Sequence, residues 1–308
     1  MARIVGWANA AVAALTAAAA LAAGAALLGD RSPQLDVLTH LAPLYGVVGL
    51  AGLAWTGLAR RGPAAAASIF AIVASGLLIA PELRRAPEPL APPDAPGQLK
   101  LIQFNVLRKN AEAGRIVDWL VAQQPDIVVL EEASPDLRDR LRRRTGWSVA
   151  GGHGRVMIFS RRDRLAMTRP PLGGDVLTFV NATYAGPAGP YEVVATHLDW
   201  PTQARFQRQH VELARIVARL PRERMILAGD FNTTPWSAAL RRADRALGLR
   251  RLDRATFSFP TWAGPLAFLP IDHVYAGPGW RLVRLERGPN LGSDHYPLVV
   301  TLAPASPP

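Results

Sequence analysis

Asn105, Glu132, His197, Asp230, Asn232, Asp272, Asp294 and His295 are the residues of this 308-residue chain whose types could serve one reaction. They fall within the short motifs QFN, VLEE, THL, GDFN, IDH and SDH, in that order, and several follow directly on an apolar run. A carboxylate or amide at the end of a buried strand projects from the sheet edge, where ligands of layered α/β proteins collect. Phosphoesters resist hydrolysis because their negative charge repels the nucleophile and the leaving oxygen is poor. A hard divalent cation relieves both problems and prefers oxygen donors. The set supplies those oxygens, a carboxylate to deprotonate water, and imidazoles to answer developing charge.

Alternating strands and helices must position these groups. Residues 99–106 alternate as a strand that delivers Asn105 near its end. Residues 111–123 place Ile116, Val117, Leu120 and Val121 on one helical face. A short apolar run at 126–130 leads into Glu131 and Glu132, and 155–160 reads as a strand. Segments 176–184 and 191–198 flank the turn AGPAGP as a hairpin. A helix is expected over 202–220, with Phe206, Leu213, Val217 and Leu220 at core spacing. Strand 225–228 enters the Gly229-Asp230-Phe231-Asn232 turn, where Gly229 is read as easing the backbone. Late strands are expected at 271–276 and 296–302. The pattern predicts an α/β (α+β) domain: a four-layered sandwich of two mixed β-sheets flanked by helices.

Taken together, the six motifs over residues 98–303 resemble the endonuclease/exonuclease/phosphatase superfamily, the DNase I-like fold. The resemblance implies a metal-dependent phosphoric ester hydrolase. Its metal is Mg²⁺, with Mn²⁺ an alternative, held by Asn105, Glu132 and Asp294. Matching the family's Leu-Gln-Glu onto Leu130-Glu131-Glu132 selects Glu132. Glu131 then stands where the family has glutamine, either adding charge near the metal or facing solvent. Asp230 would orient or deprotonate the water, Asn232 would hold it or a phosphate oxygen, His295 and Asp272 would form a His–Asp pair, and His197 would contact phosphate. His273 is expected on the opposite side of its strand, and His153 and His210 as surface or packing residues. Neither Tyr184 nor Tyr191 matches a catalytic tyrosine. Trp200 lies beside the site and could stack on a base, meet a lipid head group or pack a corner.

The first third of the chain is different. Residues 4–28, 37–58 and 64–80 carry no charge, each close to the roughly 20 residues that cross a bilayer. About three transmembrane helices (4–28, 37–58, 64–82) are therefore expected within a membrane anchor at 1–85. A Pro-rich spacer at 86–97, the catalytic domain at 98–303 and a tail at 304–308 follow. Arg3 before the first span and Arg60-Arg61 after the second place the amino terminus inside, and hence the catalytic domain on the extracytoplasmic side of a plasma or inner membrane; Arg84 and Arg85 oppose this. His40 falls in the second span as a candidate interhelical contact. The chain has no cysteine, which excludes disulfides and thiolate chemistry. Net charge is +11, and residues 98–308 hold 29 of the 35 basic and 19 of the 24 acidic residues. That balance suits nucleic acid and anionic lipid equally. The expected partners are a nucleic acid or lipid-linked phosphate substrate and the bilayer, with no obligate protein partner. A catalytically silent binding module predicts lost site residues, and none is lost. A channel or transporter is disfavoured by short spans with few polar groups.

Overall fold

The computed structural model describes residues 2–59, 62–151, 156–168, 177–186 and 188–305; Arg60, Arg61 and His153 lie outside the described residues. The chain divides into two compact units, Met1–Ala86 with Thr234–Arg242, and Pro87–Thr233 with Ala243–Pro308.

The first unit contains α1 (Ala2–Ala26), α2 (Pro33–Thr39), α3 (Ala42–Ala59) and α4 (Gly62–Arg84). Two stretches, Val5–Ala26 and Gly62–Arg84, are long and apolar enough to cross a membrane. The expected middle span is instead a pair, α2 with α3, bent by 56°. Hydropathy alone does not see that break, because the turn residues between the two helices are themselves apolar or uncharged. Small residues let the helices approach: a Cβ at Gly52 would lie 2.2 Å from the Thr16 methyl, and one at Gly49 2.8 Å from the Ser68 carbonyl. Trp55 Nε1 donates to Asn9 Oδ1 at 2.9 Å and ties α3 to α1. His40 Nδ1 meets the Val37 carbonyl one turn earlier, at 3.1 Å. The Thr234–Arg242 stretch joins this unit through Asp36, whose buried carboxylate accepts the Ala238 and Ala239 N–H groups at 2.7 and 2.9 Å. It thereby caps the start of a later helix, Ala238–Leu247.

The second unit is built on two six-stranded mixed sheets. In chain order the strands are β1 (Leu99–Asn105), β2 (Ile127–Glu131), β3 (Ser148–Gly151), β4 (Val156–Ser160), β5 (Arg164–Thr168), β6 (Thr178–Tyr184), β7 (Tyr191–His197), β8 (Met225–Asp230), β9 (Arg250–Arg251), β10 (Asp272–Ala276), β11 (Trp280–Arg287) and β12 (Leu298–Pro304). One sheet runs β11-β12-β1-β2-β4-β3 and the other β5-β6-β7-β8-β10-β9. At the centre of each sheet lies a parallel pair, β1 with β2 and β7 with β8, and their neighbours are antiparallel. Strand side chains alternate between faces. Leu101, Val129, Ile158, Val193, Ile226, Val274 and Val300 therefore fill the space between the sheets. Ile102, Phe104, Val128 and Leu130 pack outward against Ile116 and Leu120 of α5 (Ala113–Gln123) and Leu137 and Leu141 of α6 (Pro135–Thr145). Removing any of these fully buried aliphatic side chains would cost about 2–5 kcal/mol. On the other sheet's side, α7 (Phe206–Ala218) buries Phe206, Leu213, Ile216 and Val217. Two mixed sheets flanked by helices is the arrangement expected from the sequence.

Two expectations need correction. α7 starts at Phe206, not at residue 202, because Trp200 and Gln203 carbonyls close successive turns with the N–H groups of Gln203 and Phe206. The Pro-rich segment is not a free spacer: Leu90 bridges Leu282 in parallel, the Ala91 N–H donates to the Leu282 carbonyl at 2.7 Å, and Glu88 pairs with Arg250. β11 is an edge strand with open backbone groups, and the segment satisfies some of them.

Candidate active site

Strand register assembles the site. Asp230, the last residue of β8, stands between Asp272 at the start of β10 and His197 at the end of β7. In the other sheet Asn105 ends β1 opposite Glu131 of β2. The close β7–β8 pairing requires Gly229, where a Cβ would sit 2.0 Å from the Thr196 carbonyl oxygen. Gly229 is therefore needed for close approach and not for turn flexibility. The turn's unusual conformation falls on Asn232, with φ 49°, and a second on Glu132, with φ 56°. Each such non-glycine residue stores on the order of 1–3 kcal/mol, a strain that recurs at functional positions.

Asp230 is the hub. Its Oδ2 accepts Asn105 Nδ2 at 3.0 Å and lies 3.5 Å from His197 Nε2 and 3.7 Å from His295 Nε2. Its Oδ1 accepts the Asn232 N–H at 2.8 Å. Burial lifts its carboxyl above the usual aspartate range, and the neighbouring imidazoles only partly offset this. His295 donates Nδ1–H to Asp272 Oδ2 at 2.8 Å. Asp272 also accepts Ser258 Oγ at 2.5 Å and Gln103 Nε2 at 2.7 Å. Burial alone would raise Asp272, but the His295 charge and these donors hold it below its ordinary value. For His295, burial opposes protonation; Asp272 and Asp230 overcome it and lift the imidazole to about 10. The resting pair at neutral pH is thus a carboxylate and an imidazolium.

His197 Nε2 lies 3.9 Å from Glu132 Oε1 and 3.4 Å from Asn232 Nδ2, which also donates to the Leu198 carbonyl at 2.8 Å. Glu132, partly exposed, accepts the Arg108 N–H at 3.4 Å. A cleft of about 250 Å³ opens here, lined by Arg108, Glu132, His197, Trp200 and Asn232 among others, with Asp230, Asp272 and His295 behind these residues. Asp294 is half-buried beside His295, and its neighbour Ser293 donates to the Asn105 carbonyl at 2.6 Å.

All eight candidates sit at one edge of the two sheets, but two groupings emerge. Asp230, Asp272 and His295 offer ligand atoms within 4.8 Å of one another. Asn105, Glu132 and Asp294, read as metal ligands, are not members of that trio. Asn105's amide is engaged by Asp230 through Nδ2 and by the Leu107 N–H through Oδ1, at 3.1 Å. The donor set nevertheless suits a hard cation: carboxylate and amide oxygens predominate. Asn232 Oδ1 and Glu131 Oε1 are also buried acceptors without a hydrogen-bond donor.

Glu131 does not face solvent. It is fully buried, accepts Gln103 Nε2 at 3.0 Å, and burial, then Asp272 and Asp230, push its carboxyl well above the usual range. Gln103, which joins Glu131 to Asp272, went unassigned in the sequence; its i, i+2 relation to Asn105 was the available signal. Ser258 and Arg108 carried no such signal. His273 turns away from this centre to Asp253 and the Thr233 carbonyl. His210 is a packing residue, with its ring against Phe206 and Nδ1 on the Phe206 carbonyl. Tyr184 and Tyr191 pack on each other inside the core.

A buried aspartate hub flanked by imidazoles thus lies at one edge of a two-sheet α/β sandwich. Residues 102–295, more than half of the chain, match the sequence profile of the Endonuclease/Exonuclease/phosphatase family. The chain belongs to this family and is a metal-dependent phosphoric ester hydrolase. The fold is similar to an endonuclease/exonuclease/phosphatase from Bacteroides vulgatus (18% identity, 68% of this chain and 99% of that one, TM-score 0.58). It is also similar to the human Nocturnin catalytic domain with bound sulfate (18%, 73% and 99%, 0.56) and to D. rerio TDP2 complexed with a single-strand DNA product (18%, 67% and 98%, 0.56). A search of curated proteins returned no match.

Proposed function

We propose that the chain is a membrane-anchored phosphoesterase that hydrolyses a phosphodiester or phosphate ester by attack of water, with residues 1–85 as anchor and 98–303 as catalytic domain. The observation that carries the reading is Asp230: one carboxylate oxygen reaches Asn105, His197 and His295 together. Asp230 takes the proton of the attacking water, and its raised pKa makes it a stronger base than an exposed aspartate. Asn232 orients that water or a phosphate oxygen. The His295 imidazolium, fixed by Asp272, faces the negative charge that builds on the phosphoryl oxygens. His197 and Arg108 supply further positive or donor groups at the cleft. Glu132, Asn105 and Asp294 would hold the divalent metal, Mg²⁺ or Mn²⁺, which when bound polarises the phosphoryl oxygen.

Two stretches long and apolar enough to cross a membrane support the anchor, and with the bent α2–α3 pair as a third crossing the basic flanks support an extracytoplasmic catalytic domain. A reporter active only in the cytoplasm, fused after residue 97, should be silent; activity there would reverse the sidedness. The hydrolytic reading is tested by metal removal from the purified full-length protein: EDTA should abolish turnover of a soluble phosphodiester and Mg²⁺ or Mn²⁺ restore it. Turnover unaffected by chelation would overturn it.

A further inference from the structure

Residues 255–271, between Arg254 and Asp272, carry no charge and read ATFSFPTWAGPLAFLPI. So long an uncharged run in a strongly basic domain would ordinarily be core. Its middle is not: Trp262 and Leu266 are each 78% exposed. The ends of the same loop are fixed to the catalytic centre. Thr261 donates its N–H to the Asp294 carbonyl at 2.8 Å and its hydroxyl to the Ser293 carbonyl at 2.5 Å. Ser258 holds Asp272, and the Phe259 ring lies 4.9 Å from that of His295. Phe259 and Leu269 exchange backbone bonds at 3.1 and 2.8 Å and close the loop. The tip is therefore an apolar projection on a braced base, next to the reacting groups. Arg287 flanks the base, its guanidinium over the Tyr296 ring and donating to the Phe257 carbonyl at 2.9 Å.

We propose that the Trp262–Leu266 tip docks into an anionic phospholipid bilayer and that the substrate is a phosphoester carried by a phospholipid of that bilayer; this rests on the hydrolase reading above. An exposed tryptophan and leucine with a basic neighbour match the interfacial zone, where the indole sits at head-group depth and cations meet anionic lipid. A surface that tracks single-stranded nucleic acid interleaves its aromatics with cations, and this run has none. The same chain carries helices apolar enough to cross a membrane, so a tethered domain meets a bilayer at high effective concentration.

The test compares full-length wild type with W262S/L266S on two substrates in Mg²⁺. One is bis-p-nitrophenyl phosphate in solution; the other is phosphatidylglycerol in nanodiscs of phosphatidylglycerol and phosphatidylcholine. The expected result is soluble turnover within twofold of wild type and lipid turnover reduced at least tenfold. In parallel, brominated lipids should quench a tryptophan signal in wild type that W262F lacks. Equal losses on both substrates, no loss on either, or quenching unchanged in W262F would each overturn the inference. A wild type that cleaves the soluble diester and single-stranded DNA but not the lipid would also overturn it, with the hydrolase reading intact. A wild type inactive on every substrate would sink that reading itself.

Discussion

Asn105 Nδ2 donates to Asp230 Oδ2 at 3.0 Å, although the two residues end strands of different sheets. The bond fastens the two sheets at the site. Asn105→Ala should leave a buried carboxylate oxygen short of its donor, at a cost of about 1–3 kcal/mol. Thermal melts of the full-length protein would register this, alongside a fall in kcat of at least tenfold. An unchanged melt with unchanged kcat would remove Asn105 from its role.

Burial, then the charges of Asp272 and Asp230, hold the Glu131 carboxyl well above its ordinary range. Its folded pKa is raised, so its contribution to stability is present below the unfolded value near 4.3 and is lost as pH climbs toward the folded value. Glu131→Gln removes the titration while keeping the shape. The variant should therefore gain stability relative to wild type between pH 5 and pH 8. Parallel melting curves across that range would contradict the assignment.

The His295–Asp272 pair sets the alkaline limb of activity. With the imidazole at about 10, kcat/KM should hold through neutral pH and fall as that proton leaves. Asp272→Asn removes the nearest supporting charge, so the limb should move down toward the ordinary histidine value near 6.5. A pH–rate profile whose alkaline limb does not move in the variant would show that another group controls it.

A second buried imidazole, His273, pairs with Asp253. His273 Nδ1 meets Asp253 Oδ2 at 2.8 Å and Nε2 meets the Thr233 carbonyl at 2.7 Å, both acceptors, so both ring nitrogens carry protons. Burial disfavours that charge, and Asp253 outweighs burial, raising the pKa. Stability from this group is present in full below about 6.5 and is lost as pH rises through the folded value. His273→Leu breaks a buried pair and should cost about 3–5 kcal/mol. Because wild type itself loses this contribution, the deficit should shrink on the alkaline side. A pH-independent deficit would point to packing alone.

Much of the site was legible because its residues end apolar runs: Asn105, His197 and Asp230 close β1, β7 and β8 in turn. Legibility stopped where a partner lies far along the chain. Gln103 meets Asp272 across 169 positions and Ser258 meets it from an irregular loop, and neither strand period nor motif encodes those meetings. Glu131 was ambiguous for the same reason, since the last residue of a strand can turn either way until the opposing sheet is known. Composition misled at 86–97, where prolines suggested a spacer while Leu90 found the open edge of β11. It also missed the bend between α2 and α3, because apolarity records transfer energy and not direction.

The most direct measurement of the central claim is turnover of a soluble phosphodiester by full-length Asp230→Asn in Mg²⁺, with its melt recorded alongside. Loss of the base should lower kcat by about 10²–10⁴ while the protein still folds, since the amide keeps the bond to the Asn232 N–H. A folded variant that turns over at the wild-type rate would contradict the account.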